Sequence, residues 1–317
     1  MSEAIGLNLI DEAVEDRAIG SLLGLAVGDA LGATLEFSER DAHSPVTDII
    51  GGGPFRLKPG EWTDDTSMAL CLADSLIANK ALDEHDLLER FVHWWEKGEN
   101  SVKGRCFDIG TTTRQSLANF LRCGQTAGQG PYDKHHAGNG SLMRLAPAAI
   151  FAAPDLAVAK EIAERQSLTT HANLVAAEAC CLFAQMLVEA FGGAAKQDIL
   201  RPRSAFQRDL KAVAAGGWIA KSRNEISSSG YVVHTLEAAL WCVARTGNFA
   251  DALILAVNLA DDSDTVGAVT GQLAGAIYGR SGIPARWLSV LAWRDHIEQR
   301  AIALLDAGAS VREGEAR

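Results

Sequence analysis

The stretch Leu259-Ala260-Asp261-Asp262-Ser263-Asp264-Thr265 places three aspartates within four residues, directly between two apolar runs. Residues 252–259 are apolar on a helical period. So is the run that opens at Thr265, where Gly267, Gly271, Gly275 and Gly279 recur at every fourth position. That spacing lines the glycines along one helix face. Carboxylates held between two such segments read as an internal site rather than a solvated turn. Far upstream, Thr63-Asp64-Asp65-Thr66 stands at the head of another apolar helical run. The two acidic clusters read as halves of one metal site.

Working outward, residues 16–33 carry a second stripe, Gly20, Gly24, Gly28 and Gly32, with Glu36 just beyond it. Glycine costs about 1 kcal/mol per helical position relative to alanine, so four in register require a close approach by another element. A membrane dimer of the G-x-x-x-G kind is the rival explanation, and Asp29 within the run argues against it. Further helices are expected over residues 83–96, 108–121, 155–165, 173–190, 198–214, 231–244, 249–259, 265–278 and 288–305. Strict alternation of period two is almost absent, so the fold class is all-α. No linker divides the chain. The expectation is one domain over residues 16–305, a lead-in at 1–15 and a polar tail at 306–317.

The 317 residues are 48% hydrophobic and 22% charged, with a net charge of -11. An acidic balance argues against a nucleic-acid backbone as partner and suits divalent cations. Six cysteines are scattered without a C-x-x-C pair, so zinc and redox motifs lack support and reduced thiols are expected. The acidic N-terminus has the wrong sign for a signal peptide, and no uncharged apolar run is long enough to span a bilayer. A cytoplasmic protein is expected. No exposed heptad or apolar stripe argues for a partner helix, so a monomer is expected too.

Magnesium takes six oxygen ligands. Asp64, Asp65, Asp262 and Asp264 offer carboxylates, Thr63 and Thr265 offer hydroxyls, and Glu36 adds a fifth carboxylate, close to balance for two divalent ions. Without metal, so many carboxylates in one pocket would repel and some would protonate. By itself Thr63-Asp64-Asp65-Thr66 also fits a helix cap. Gly138-Asn139-Gly140-Ser141, ahead of an apolar run, offers backbone N–H groups as an anion cradle, though a plain turn has the same composition. His171 reads equally as a ligand contact or a core histidine. His135 and His136 fall in a Gly-rich loop at the pocket rim or on open surface, and Phe91, Trp94 and Trp95 read as core.

Gly28-Asp29-Ala30-Leu31-Gly32 with Glu36, then Thr63-Asp64-Asp65-Thr66, resembles the ADP-ribosylglycohydrolase family. The sequences Gly138-Asn139-Gly140-Ser141-Leu142-Met143-Arg144, Thr169-Thr170-His171 and Asp262-Ser263-Asp264-Thr265 follow in the family's order. Within it the chain looks most like the bacterial dinitrogenase-reductase-activating glycohydrolases. The resemblance implies an orthogonal helical bundle around two magnesium ions, manganese also being accepted. It implies removal of ADP-ribose from a modified protein, usually at arginine, with free ADP-ribose as product. It makes Thr63, Asp64, Asp65, Asp262, Asp264 and Thr265 metal ligands. Residues 138–143, with Asn139, Gly140, Ser141, Leu142 and Met143, become a diphosphate cradle. Asp108, Gly110 and Thr111 become a ribose-side segment, and Tyr231 an aromatic near the ligand.

In that scheme the metals hold the cis-diol of the distal ribose and a water. A carboxylate, Asp64 or Glu36, manages the proton so that guanidine leaves protonated. Two other readings remain. One keeps hydrolysis but changes the linkage to serine or O-acetyl-ADP-ribose. The other keeps metal-dependent ADP-ribose binding without turnover.

Overall fold

The computed structural model describes residues 11–127, 137–204, 206 and 209–315. His135 and His136 lie outside the described residues. The helices are α1 Glu12–Gly32, α2 Asp64–Asn79, α3 Glu84–Lys97, α4 Thr111–Cys123, α5 Ala146–Ala152, α6 Leu156–Thr170 and α7 Leu174–Phe191. They continue with α8 Lys196–Ile199, α9 Leu210–Ala214, α10 Val232–Arg245, α11 Phe249–Val257, α12 Ser263–Tyr278, α13 Ala285–Val290 and α14 Arg294–Glu315. Among the described residues there is no strand, only isolated bridges at Gly52–Leu57 and Gly138–Tyr231. The fold is all-α.

The two glycine stripes belong to each other. α1 and α12 form the most extensive helix pair and run antiparallel. Gly20 faces the carbonyl of Gly275, Gly24 that of Gly271, Gly28 that of Gly267, and Gly32 that of Ser263. A Cβ at any of these positions would fall closer than 3.0 Å to the partner backbone, a distance real Cβ atoms essentially never show. Bare backbone therefore touches bare backbone along the whole seam. This sets the C-terminal end of α1 directly beside the N-terminal end of α12.

The loop after α1 is laced to the segment before α12. The Arg40 guanidinium donates to the carbonyls of Leu259 (2.9 Å), Arg223 (2.9 Å) and Ile226 (2.8 Å). The Asn258 amide accepts from Val46 N and donates to Val46 O, both at 2.8 Å. Phe91, Trp94, Trp62 and Trp287 are fully buried in the core.

Several boundaries depart from the sequence reading. The segment 198–214 is not one helix: Pro202, which has no N–H to donate, separates α8 from α9. The last helix is broken at Trp293 (φ 59°), and α14 then runs through the supposed polar tail to Glu315, with Gly308 against the Phe151 carbonyl. α1 reaches back to Glu12, inside the supposed lead-in. α7 is long and apolar enough to cross a bilayer by length and composition, with a mean hydropathy of 1.7 despite two glutamates, and 72% of it is buried inside the fold.

Candidate active site

Three helix ends meet where the seam opens. Asp29, near the end of α1, is fully buried and faces the start of α2. It accepts the backbone N–H groups of Thr63 (2.8 Å) and Thr66 (3.0 Å) and the Thr66 hydroxyl (2.6 Å). The Thr63 hydroxyl lies 2.9 Å from Asp29 Oδ1 and 3.3 Å from both Asp65 Oδ2 and Asp264 Oδ2. One proton is thus set among three carboxylates. Thr63 is the N-cap of α2 but makes no side-chain cap bond of its own. The helix-cap alternative for this cluster is therefore taken by Asp29, which leaves Asp64 and Asp65 for other work.

α12 starts the same way. Its N-cap, Asp262, makes no side-chain cap bond; its Oδ2 accepts instead from Asn139 Nδ2 at 2.7 Å. Ala260 and Asp261 precede it in the left-handed region (φ 60° and 61°), which turns the chain sharply into the helix. Outside glycine, that region is uncommon for alanine and more accessible to aspartate. Neighbouring backbone holds the turn: Phe37 N donates to Asp261 O (2.8 Å), Asp261 N to Ser38 O (2.9 Å) and Asp262 N to Ser228 O (3.1 Å). The Ser263 hydroxyl donates to Gly32 O at 2.7 Å, pinning α12 to α1.

The result is two overlapping groups of carboxylates. Asp29, Asp65 and Asp264 form one and Glu36, Asp262 and Asp264 the other, each with ligand oxygens within 4.8 Å of one another. Burial pushes Asp29 and Asp262 up to about 7, with the charge of Asp264 adding to it. Burial and then Asp264 raise Asp108 to about 9. Asp64 and Asp65 stand well above the usual carboxylate range, first through burial, then through Asp108 and Asp29 respectively. Glu36 is driven up by burial and by Asp264, Asp262 and Asp108. Asp65 Oδ1 is buried with no hydrogen-bond partner. An all-oxygen donor set with excess negative charge and an orphaned carboxylate oxygen fits hard divalent cations.

Above the carboxylates lies a cleft of about 470 Å³, within the range of small-molecule sites. Glu36, Asp64, Asp262, Asp264 and Thr265 form its acidic end; Thr63 and Asp65 are buried below and do not line it. Asp108 adjoins this end, close to Asp264, and Gly110, Thr111, Asn139, Gly140, Met143 and His171 are among the other lining residues. Ser141 and Leu142, expected in the cradle, do not line it. The turn that bonds Leu142 N to Asn139 O (2.8 Å) sends both side chains into the core, where the Ser141 and Ser167 hydroxyls pair at 2.8 Å. Tyr231 does not line the cleft either: its hydroxyl donates to Asp209 Oδ2 at 2.7 Å. Asp64 lines the cleft but belongs to neither carboxylate group.

The sequence profile of ADP-ribosylglycohydrolase matches residues 11–314. The chain belongs to the ADP-ribosylglycohydrolase family. It is 51% identical to the ADP-ribosylarginine hydrolase Tri1 of Pseudomonas putida over 307 residues, 96% of this chain and 82% of that protein. It is 37% identical to the ADP-ribosyl-(dinitrogen reductase) glycohydrolase of Rhodospirillum rubrum, across 88% of this chain and 91% of the relative. A solved structure described as an ADP-ribosylglycohydrolase-related protein complex superposes with a TM-score of 0.82 at 40% identity, over 94% of this chain and 100% of that one.

In this member of the family, the roles of two residues that stand in its motifs escaped the sequence reading. Asp29 is the single charge within residues 18–32, and a lone carboxylate in a stripe of glycine and apolar residues was the available signal. The other is Arg144, fully buried over the Phe91 ring at 4.5 Å. It donates to Gln166 Oε1 (2.9 Å), Gln166 O (2.9 Å) and the Thr170 hydroxyl (2.8 Å). That hydroxyl in turn lies 2.9 Å from His171 Nδ1. With Arg144 donating to it, the hydroxyl has its own proton to give to Nδ1, an arrangement that leaves the imidazole hydrogen on Nε2, beside Gly138 and Gly140. Burial, then Arg144, lowers His171 to about 3. It is a neutral N–H donor that lines the cleft beside the 138–140 turn.

Proposed function

We propose that this protein hydrolyses the N-glycosidic bond between ADP-ribose and arginine side chains of modified proteins, with two magnesium ions at the carboxylate groups and manganese accepted in their place. The observation that carries the reading is the pairing of two donor sets in one cleft. Its buried carboxylates are built for divalent cations, and the adjoining small-residue turn at 138–140 and the His171 donor suit an anion. A nucleotide sugar offers oxygens to the first and a diphosphate to the second. Relatives at 51% and 37% identity named for ADP-ribosylarginine and ADP-ribosyl-dinitrogen-reductase hydrolysis support it.

Asp29, Asp65, Asp262, Asp264 and Glu36 would hold the ions, with the Thr63 and Thr265 hydroxyls adjoining. Bound cations supply Lewis acidity, neutralising the carboxylates and polarising oxygen ligands. The chain's own residues do the rest. Asn139 orients Asp262, the 138–140 turn and His171 seat the diphosphate, and Asp108, Gly110 and Thr111 flank the sugar. In the reaction the ribose C1–N bond breaks, water oxygen bonds to C1, and a water proton ends on the departing guanidine. We assign that proton transfer to Asp64, which lines the cleft outside both carboxylate groups, with Glu36 lining the same cleft as the second carboxylate for it. The free state of all six cysteines supports a reducing, cytoplasmic setting.

The test is release of free ADP-ribose from arginine- and serine-ADP-ribosylated peptides, in magnesium and in EDTA. Magnesium-dependent release from the arginine peptide is expected. Release from serine alone would overturn the linkage, and binding without release from either would make the protein a non-catalytic reader.

A further inference from the structure

Among the cleft-lining side chains that the mechanism above leaves without a role are one carboxylate and one exposed aromatic ring. Asp261, the first of the three clustered aspartates, is exposed, lines the cleft and lies outside both carboxylate groups. Phe37, next to Glu36, also lines the cleft and is 67% exposed, the most exposed large apolar side chain among the described residues. Both residues sit in the left-handed region, Phe37 at φ 59° and Asp261 at φ 61°. Their backbones are tied to one another by Phe37 N to Asp261 O (2.8 Å) and Asp261 N to Ser38 O (2.9 Å). A bulky residue at positive φ is an outlier that the fold must hold in place. Here the lacing from Arg40 and Asn258 holds it, and the outcome is an aromatic ring kept in water at the mouth of the acidic end. Behind it, Phe55 stands edge-on at 6.4 Å and Phe107 packs on Phe55 at 5.5 Å.

We propose that Phe37 and Asp261 form the subsite for the acceptor arginine, the ring taking the face of the guanidinium and the carboxylate its N–H groups. This rests on the hydrolysis reading above. If the diphosphate sits at the 138–140 turn, the sugar carbon that reacts lies at the carboxylates. Whatever leaves from it must then pass the residues bordering Glu36 and Asp262. A guanidinium is planar and cationic, and the two groups that recognise such an ion are an aromatic face and a carboxylate. The adenine ring is a neutral base and gains nothing from Asp261. Asparagine also tolerates the left-handed region, so Asp261→Asn removes the charge while keeping the turn.

The experiment measures KM for an ADP-ribosylarginine peptide and the inhibition constant of free ADP-ribose, which lacks the guanidinium. Wild type, Phe37→Ala, Phe37→Tyr and Asp261→Asn are compared in saturating magnesium. A cation–π contact or an ion pair of this kind is worth about 3- to 30-fold in affinity. In Phe37→Ala and Asp261→Asn the peptide KM should therefore rise about 3- to 30-fold more than the ADP-ribose inhibition constant does. Phe37→Tyr keeps the ring, so the selective loss of Phe37→Ala should be absent from it, and thermal unfolding of each variant checks that it is folded. Equal weakening of peptide and ADP-ribose would assign the ring to the nucleotide and overturn the subsite; so would an unchanged peptide KM. If wild type itself releases nothing from the arginine peptide, the hydrolysis reading falls and the subsite with it. Release by wild type with no selective loss in the variants removes the subsite alone.

Discussion

Helices of this protein that begin at acidic residues use them in two different ways. α3 and α6 start at exposed aspartates that do ordinary capping. Asp83 accepts from His85 N (2.9 Å) and Asp86 N (3.0 Å), and Asp155 from Ala157 N (2.8 Å) and Val158 N (3.0 Å). α2 and α12 start at buried clusters whose carboxylates turn away from their own helices. The free N–H groups of α2 are answered by Asp29 on another helix. A carboxylate at a helix start caps when water surrounds it. Once a neighbouring helix supplies the cap, the carboxylate is released for a site, and burial keeps it available only if a cation offsets its charge.

The sharpest way to break this contrast is at α12. Asp262→Ala should abolish magnesium binding by calorimetry and lower turnover at least about a thousandfold, because it removes a carboxylate from the cation group. Turnover near wild type with metal bound would return Asp262 to a structural role. The seam comes next. Gly271→Ala drives a methyl group into the Gly24 carbonyl, and the resulting overpacking should cost about 3 kcal/mol or more in urea unfolding. Asp29→Asn puts an amide N–H₂ where Thr63 or Thr66 needs an acceptor. With magnesium present, the same titration should show a loss of about 2 kcal/mol.

α6 carries both behaviours on one helix, an exposed cap at Asp155 and a buried C-cap at His171. His171 stays neutral in the folded protein down to about pH 3, whereas the ordinary histidine value is 6.5. The folded state therefore refuses a proton that the unfolded chain binds. The stabilisation is complete above pH 6.5 and is lost as pH falls below it, at about 1.4 kcal/mol per unit. Arg144 and the Thr170 hydroxyl face the ring, and Arg144 keeps its charge throughout this window. Between pH 6.5 and 5, unfolding curves of wild type and His171→Asn should diverge by about 2 kcal/mol. Parallel curves would mean that the ring protonates in place. The smallest effect belongs to the exposed end of the same helix. Asp155→Ala should cost about 1 kcal/mol in thermal unfolding and leave turnover unchanged.

Much of the fold was legible because its signals are local. A helix repeats every 3.6 residues, so spacing by four announced both glycine faces, and the absence of alternation announced an all-α chain. What stayed hidden came from breaks and from distance. Pro202 and the turn at Trp293 interrupt helices that periodicity alone would run through. Ser141 and Leu142 share a motif with Asn139 and Gly140, yet one tight turn sends the first pair inward and leaves the second lining the cleft. Tyr231 was placed near the ligand by resemblance; its hydroxyl is held instead by Asp209.

The sequence by itself determined that this protein is helical, that two of its helices have bare faces, and that acidic residues cluster at two helix starts. Each of these is a property of a few consecutive residues. Only the tertiary structure decided that the bare faces belong together, because either stripe alone fits any close neighbour. That one pairing fixes the rotation of α12 against α1, and together with the left-handed turn at 260–261 it sorts the three clustered aspartates. Asp262 and Asp264 join the carboxylate groups, and Asp261 is turned out to the mouth of the cleft.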